Sequence, residues 1–212
     1  MLLAFDTATP AVTVALHDGE RVVAEVSTVD AMRHGELLAP GVAAVLEQAG
    51  VVRQDLTAIA VGVGPGPFTG LRVGLVTART LASVLAIPVY GVCTLDLLAA
   101  EALASGAVGG GFLVATDARR KEVYWASYDG QGGRLDGPHV SKPAEVATDG
   151  PVVGRGALLY PEAFPVYVAP ENPRAGVLAE VVTGERVELL DPEPLYLRRP
   201  DVMPPGKPKR VS

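Results

Sequence analysis

The chain has 212 residues, and its 18 Lys+Arg against 24 Asp+Glu give a formal charge of −6. With 49% hydrophobic and 20% charged residues it has material for a core, which excludes a disordered chain, and one cysteine, Cys93, excludes an internal disulfide framework or a cysteine-rich zinc site. An acidic balance with only 5% aromatics also argues against an autonomous nucleic-acid reader, which needs excess cations and exposed stacking rings. The opening Met1 to Asp6 lacks a basic segment and soon reaches a carboxylate. No apolar run of about 18 residues is free of Pro, Gly and charge, so neither a secretory signal nor a membrane span is expected, and the expected compartment is the cytoplasm.

Three β-rich runs open the chain, Leu2 to Thr7, Ala11 to His17 and Arg21 to Thr28. The Asp18-Gly19 pair between the last two tolerates positive φ and predicts a hairpin turn. From Leu37 the period changes: Leu38, Val42, Val45, Leu46 and Ala49 have helical spacing up to Gly50, with Pro40 inside the pattern leaving the start open. Leu56 to Val63 reads as a buried strand that enters the loop Gly64-Pro65-Gly66-Pro67-Phe68-Thr69-Gly70, and a helix follows from Leu71 to about Leu85. That helix has two apolar stripes, one of Leu71, Leu75, Ala78, Ala82 and Leu85, the other of Val73, Val76, Leu81 and Val84, with Arg72, Arg79 and Ser83 on a narrow polar edge. Two stripes need two covers, and the second is either a neighbouring helix of this chain or a partner.

A strand at Val89 to Cys93 and a helix at Leu95 to Ala104 precede the glycine run at 106–111, the best internal boundary. The pattern then repeats. Asp6 lies 12 residues before Asp18-Gly19, and Asp117 lies 12 before Asp129-Gly130, each between an apolar strand and an alternating one, which points to a duplicated unit. Beyond Leu135 the signal weakens to short strands near Val152 and Val166 and a helix from Arg174 to Thr183. The end, 204–212, is rich in Pro and charge and is expected to be a disordered tail. The expected division is a first lobe at 1–105, a smaller second lobe at 106–203, and that tail.

Candidate chemistry is thin. The glycine loop before a helix has the outline of an anion cradle. No Lys follows its last glycine, the third glycine of G-x-G-x-x-G falls on Pro67, and Pro65 and Pro67 remove two N–H donors, so a rigid packing turn competes with a phosphate site. Asp6 at a strand end faces either a nucleotide phosphate or its own turn. His34 with Glu36, and Cys93 with His34, suggest a metal pair or a dyad; a capping histidine and a buried inert thiol are the plainer readings. No hydrolase, zinc-peptidase or kinase signature occurs.

The strand Leu3-Ala4-Phe5-Asp6-Thr7-Ala8-Thr9, the segment Arg33 to Pro40, the loop and helix Gly64 to Gly74, and Pro194-Leu195-Tyr196-Leu197-Arg198 together resemble the bacterial TsaB (YeaZ) family. The resemblance spans the chain except its tail, and the middle motif is its most specific part. It implies an α/β fold of the ASKHA (actin-like ATPase, ribonuclease-H-like) kind, with two related lobes. It also implies a non-catalytic subunit of the complex that attaches threonylcarbamoyl to the adenosine beside the tRNA anticodon, so no catalytic or metal residue is expected here.

The implied partners are the paralogue TsaD, which is catalytic, and the ATPase TsaE, with a homodimer when the chain is alone and tRNA reached indirectly. The isolated chain is expected to need no cofactor, ATP or ADP being left to the complex interface. TsaD-type proteins carry a metal-binding histidine pair after the strand matching Val89 to Cys93, where this chain reads Val92-Cys93-Thr94-Leu95-Asp96-Leu97-Leu98. The expected partner face is Leu38, Val42, Val45 and Leu46 from the first helix with Leu71, Leu75 and Ala78 from the second, rimmed by Arg72 and Arg79. Asp6, Thr7, Gly64, Gly66 and Gly70 are the expected vestige of a nucleotide loop. The competing reading is a small actin-like phosphotransferase that holds a magnesium nucleotide with Asp6 and that loop.

Overall fold

The computed structural model describes residues 1–198, and the predicted tail at 204–212 lies outside the described residues. Strands β1 (Leu2–Asp6), β2 (Ala11–His17) and β3 (Val22–Val29) form the expected antiparallel meander, in register from Leu2↔His17 to Asp6↔Thr13. β4 (Ala58–Gly62) lies parallel to β1, and β5 (Val89–Val92) parallel to β4, so the sheet runs β3-β2-β1-β4-β5. Parallel neighbours need crossovers, supplied by helices α1 (His34–Ala49) and α2 (Phe68–Leu85). Helix α1 starts three residues before Leu37 and carries Pro40 internally; Pro40 is exposed, so its ring and missing donor sit away from the packed face. Gly50, at φ 66°, ends α1 in the left-handed conformation that glycine adopts without strain.

Side chains alternate across this sheet. Leu3, Phe5, Val14 and Leu16 meet Leu38 and Val45 of α1 and Leu71, Leu75 and Ala78 of α2 in one core. Ala4, Ala15 and Ala60 point the other way, against Leu178 and Ala179 of α5 (Ala175–Thr183), small residues that let the helix approach closely. Helix α5 therefore packs on the first sheet although it lies well past the expected lobe boundary at residue 106.

The second sheet has the same plan. β6 (Phe112–Asp117), β7 (Val123–Tyr128) and β8 (Arg134–Ser141) make an antiparallel meander, and β9 (Pro151–Val153) and β10 (Val166–Val168) add in parallel, giving β10-β9-β6-β7-β8. Numbered within each sheet, both read 3-2-1-4-5, which is the actin-like duplication. Helix α3 (Thr94–Ala104) joins the two: Leu95, Leu98 and Ala102 pack with Phe112, Val114 and Tyr128, while Leu97 reaches Ala60 and Leu178. Only the five-residue helix α4 (Arg155–Leu159) follows β9. Strand β8, signalled by the Asp129-Gly130 turn but not by its own residues, is interrupted by Gly137-Pro138 and bulges against β7.

Candidate functional site

The two strand-end aspartates occupy equivalent places. Asp6 Oδ1 accepts the Ala8 N–H at 2.7 Å, and Asp117 Oδ1 accepts the Arg119 N–H at 2.7 Å, the same turn geometry two residues on. Asp6 is fully buried, and its second oxygen accepts the Thr94 hydroxyl at 2.7 Å. Burial pushes the Asp6 carboxyl above its ordinary range, against the lowering pull of the Thr94 and Ala8 hydrogen bonds and of His34. Both carboxyl oxygens are thus committed inside the protein.

The glycine loop closes on the first of these turns. The Thr7 hydroxyl donates to the Gly70 carbonyl at 2.8 Å and accepts the Gly74 N–H at 3.1 Å. A Cβ at Gly66 would overlap the Ala8 carbonyl, one at Gly62 would overlap the Asp6 carboxylate, and one at Gly70 would stand 2.5 Å from the Thr7 carbonyl. Gly64, at φ 90°, accepts the Thr94 N–H at 2.7 Å. These glycines permit close packing on Asp6, Thr7 and Ala8, so the side of the loop that faces the first turn is occupied by residues 6 to 8. The structure brings Asp6, Thr7, Gly66 and Gly70 together in a packed turn, and Gly64 joins Asp6 through Thr94. His34, buried beside Gly70, holds the Thr9 carbonyl through Nε2 at 2.7 Å and pins the turn to the start of α1.

Where Thr9 and Pro10 of the first turn directly face Thr116 and Asp117 of the second, a gap of about 10 Å³ remains, room for about one water molecule. Arg155 and Glu171, paired with each other, and Asn172 line that gap with Thr9, Thr116 and Asp117. A nucleotide-sized ligand needs roughly 300 Å³ or more, which this gap does not offer, whereas beside it about 240 Å³ opens over His34, Thr69, Gly70 and Arg119 and about 420 Å³ over Gly66, Pro67, Arg119 and Arg120. Cys93 is buried beneath α3, and burial, reinforced by Asp96, pushes its thiol up to about 12, so the helix start does not activate it. Asp96 accepts the Tyr128 hydroxyl at 2.6 Å and pairs with Arg134 at 3.3 Å, and Arg134 reaches Glu188 at 3.1 Å. This network, not foreseen from sequence, ties α3 to β7, β8 and the last described segment.

The expected partner face needs correction. Leu38, Val45, Leu71, Leu75 and Ala78 are at most 3% exposed and belong to the core against the first sheet; Val42 and Leu46 are half-buried at its margin. Periodicity finds a stripe but does not say which stripe meets the sheet. The outward side of α2 is the other stripe, with Val76 62% and Val84 76% exposed and Val73 and Leu81 half-covered, while Arg72 and Arg79 are exposed as expected. Ala39, Pro40 and Ala43 of α1 are exposed as well. Among the described residues no group of three His, Cys, Asp or Glu could hold a metal ion, and no helix is long and apolar enough to cross a membrane.

Two sheets of one plan and a joining helix define a two-lobed protein of the actin-like ASKHA fold. The family model described as "TsaD: tRNA N6-adenosine threonylcarbamoyltransferase" matches residues 22–170. The chain superimposes on the solved structure of YeaZ from Pseudomonas aeruginosa with TM-score 0.76 and 33% identity, over 92% of this chain and 99% of that one. A further structure, of an uncharacterized Pseudomonas aeruginosa protein with similarity to peptidase YeaZ, gives TM-score 0.79 and 34% identity over 93% and 99%. In sequence it is 41% identical over 128 residues to the tRNA threonylcarbamoyladenosine biosynthesis protein TsaB of Escherichia coli, covering 60% of this chain and 54% of the relative. An uncharacterized Mycobacterium tuberculosis protein is 45% identical over 96% of this chain and 94% of its own length. The chain belongs to the TsaB (YeaZ) family.

Proposed function

We propose that this chain serves tRNA threonylcarbamoyladenosine biosynthesis as a non-catalytic subunit in the cytoplasm, docking the TsaD protein through the outer faces of α1 and α2 and pairing with a second copy of itself when TsaD is absent. TsaE joins the assembly, and the reaction is carried by TsaD. The observation that carries this reading is the outward stripe of α2, where Val76 and Val84 stand 62% and 76% exposed on a helix whose other stripe is already buried. Covering one valine is worth roughly 1.5 kcal/mol or more, so an apolar helical layer of this kind gains by association. The buried Asp6, with both carboxyl oxygens committed to Ala8 and Thr94, supports a supporting role over a phosphotransferase one.

The test is Val76→Glu with Val84→Glu. Both sites are solvent-exposed, so the folded chain should keep its stability to within about 0.5 kcal/mol. Charges buried in an interface without partners are costly. Co-purification with the cognate TsaD, and the dimer boundary in sedimentation of the chain alone, should therefore both be lost. Retention of both by a normally folded double variant overturns this assignment of the docking face.

A further inference from the structure

The β6–β7 turn sets Arg119, Arg120 and Lys121 side by side, all exposed, at φ 60°, 55° and 60°. The left-handed region costs a non-glycine residue roughly 1–2 kcal/mol, and here three consecutive cations occupy it. Two grooves flank the turn and share Arg120. One, of about 420 Å³, runs from the turn to the glycine loop at Gly66 and Pro67 and the start of α2, past Phe68, Tyr124, Tyr196 and Arg198; no carboxylate lines it. The other, of about 820 Å³, runs past Lys121, Lys142 and Tyr160, with Glu162 its single acid. Asp117 pairs with Arg119 at 3.6 Å and Glu122 with Arg198, so around the turn and its grooves the acids Asp117, Glu122 and Glu162 stand among the cations Arg119, Arg120, Lys121, Lys142 and Arg198, in a protein that is acidic as a whole.

Rings stand at one end of this path. The Arg72 guanidinium lies 4.4 Å over the Phe68 ring, Phe68 stacks on Tyr196 with centroids 5.1 Å apart, and Tyr196 is 41% exposed at the end of the pile. Burial and the facing charge of Arg120 both lower the Arg198 pKa, two guanidiniums sharing one groove in which Glu122 already pairs with Arg198.

We propose that this path binds a single strand of RNA, with phosphates along Arg119, Arg120, Lys121 and Arg198 and a base stacked on Tyr196. Cations with an exposed ring select a nucleic acid over an acidic peptide, and a base free to stack selects a single strand over a duplex. The two grooves together exceed a small-ligand pocket, and a mononucleotide would fill only one. This deepens the tRNA reading, on which it rests for its biological setting: the chain would touch the RNA directly and not only through TsaD.

The test uses the isolated chain and a fluorescein-labelled ten-nucleotide single-stranded RNA, read by anisotropy across a salt series. Three or four phosphate contacts give a log–log salt slope of about −2 to −3. Arg119→Glu with Arg120→Glu should weaken binding at least tenfold and flatten the slope by about 1.4. Tyr196→Ala should weaken it roughly fivefold or more, and should have no effect on an abasic strand. Arg21→Glu with Arg53→Glu changes charge equally at the opposite end of the first sheet and should leave affinity within twofold. Equal loss in both double variants reduces the binding to net charge and overturns the proposal. So does displacement of the strand by ADP at equal concentration, which would make the site a mononucleotide pocket. Absence of RNA binding while the valine variants still abolish TsaD docking breaks this inference and leaves the docking face standing.

Discussion

The two lobes share one strand plan and differ in how they cover it. Between the third and fourth strands the first lobe inserts the 16-residue α1 and after the fourth the 18-residue α2, where the second lobe has a three-residue turn at Pro143–Glu145 and the five-residue α4. The second lobe nevertheless closes that face of its sheet, burying Leu113, Ala115, Val123 and Val152 under Ala157 and Phe164, with Trp125 and Tyr160 at the margin. Closing such a sheet therefore does not require two long helices. The helical layer of the first lobe exceeds what its own core needs, and its outward valines are the excess. The aspartate turns differ in the same sense: the first is neutral, buried and packed on glycines, the second cationic and open.

The most severe way to break this contrast is at the glycines of the closed turn. Gly62→Ala drives a methyl into the buried Asp6 carboxylate, and Gly66→Ala drives one into the Ala8 carbonyl, neither of which can move aside. Each should cost more than about 4 kcal/mol and leave little folded protein in denaturant titration, beyond the usual overpacking range. Gly109→Ala, in the linker between lobes and with nothing within 4 Å, should stay within about 0.5 kcal/mol of the parent.

Asp6→Asn is the next sharpest. Its amide oxygen can accept the Ala8 N–H while its amide nitrogen donates to the Thr94 hydroxyl, so the shape is kept and the buried charge removed. Because burial raises the native Asp6 pKa, ionisation of this group weakens folding as pH rises. Asp6→Asn should then be at least as stable as the parent at neutral pH, by thermal unfolding, whereas Asp6→Ala, which strands two donors, should lose about 2 kcal/mol or more. A large loss in Asp6→Asn would show that the charge itself is needed.

The smallest effect concerns Glu101 on α3. Burial, with Glu25 and Glu180 adding to it and Arg174 opposing, lifts its carboxyl to about 7. A raised native pKa gives stability that is present below the ordinary carboxylate range and lost as pH rises toward 7. The half-exposed side chain limits the effect to about 1 kcal/mol. Glu101→Gln should remove that slope between about pH 4.5 and 7, measured as the denaturation midpoint against pH.

How much of this was open to reading in the residues varies by element. Asp18-Gly19 and Asp129-Gly130 announced their hairpins, and in both turns the Asp Oδ1 collects two backbone N–H groups, so equal spacing reported equal structure. Strand β8 was marked only by the turn before it, because Gly137-Pro138 breaks its alternation, and α4 was hidden because five residues carry less than two helical turns. The α2 stripes were visible, but both are apolar, so the choice between them depends on how the helix is rotated against the sheet, which local pattern does not encode. The glycine loop looked like an anion site because the groups that fill it, Thr7 and Ala8, lie some 60 residues earlier in the chain, at a separation of 63 for the Thr7 to Gly70 bond.

The burial of Cys93 has a practical consequence. The sequence holds no other cysteine, and a thiol this deep and this weakly acidic will not react with maleimides in the folded protein. A cysteine introduced at any exposed position would thus be a single addressable label, so dyes or spin probes can report docking and lobe separation without first engineering a thiol-free background.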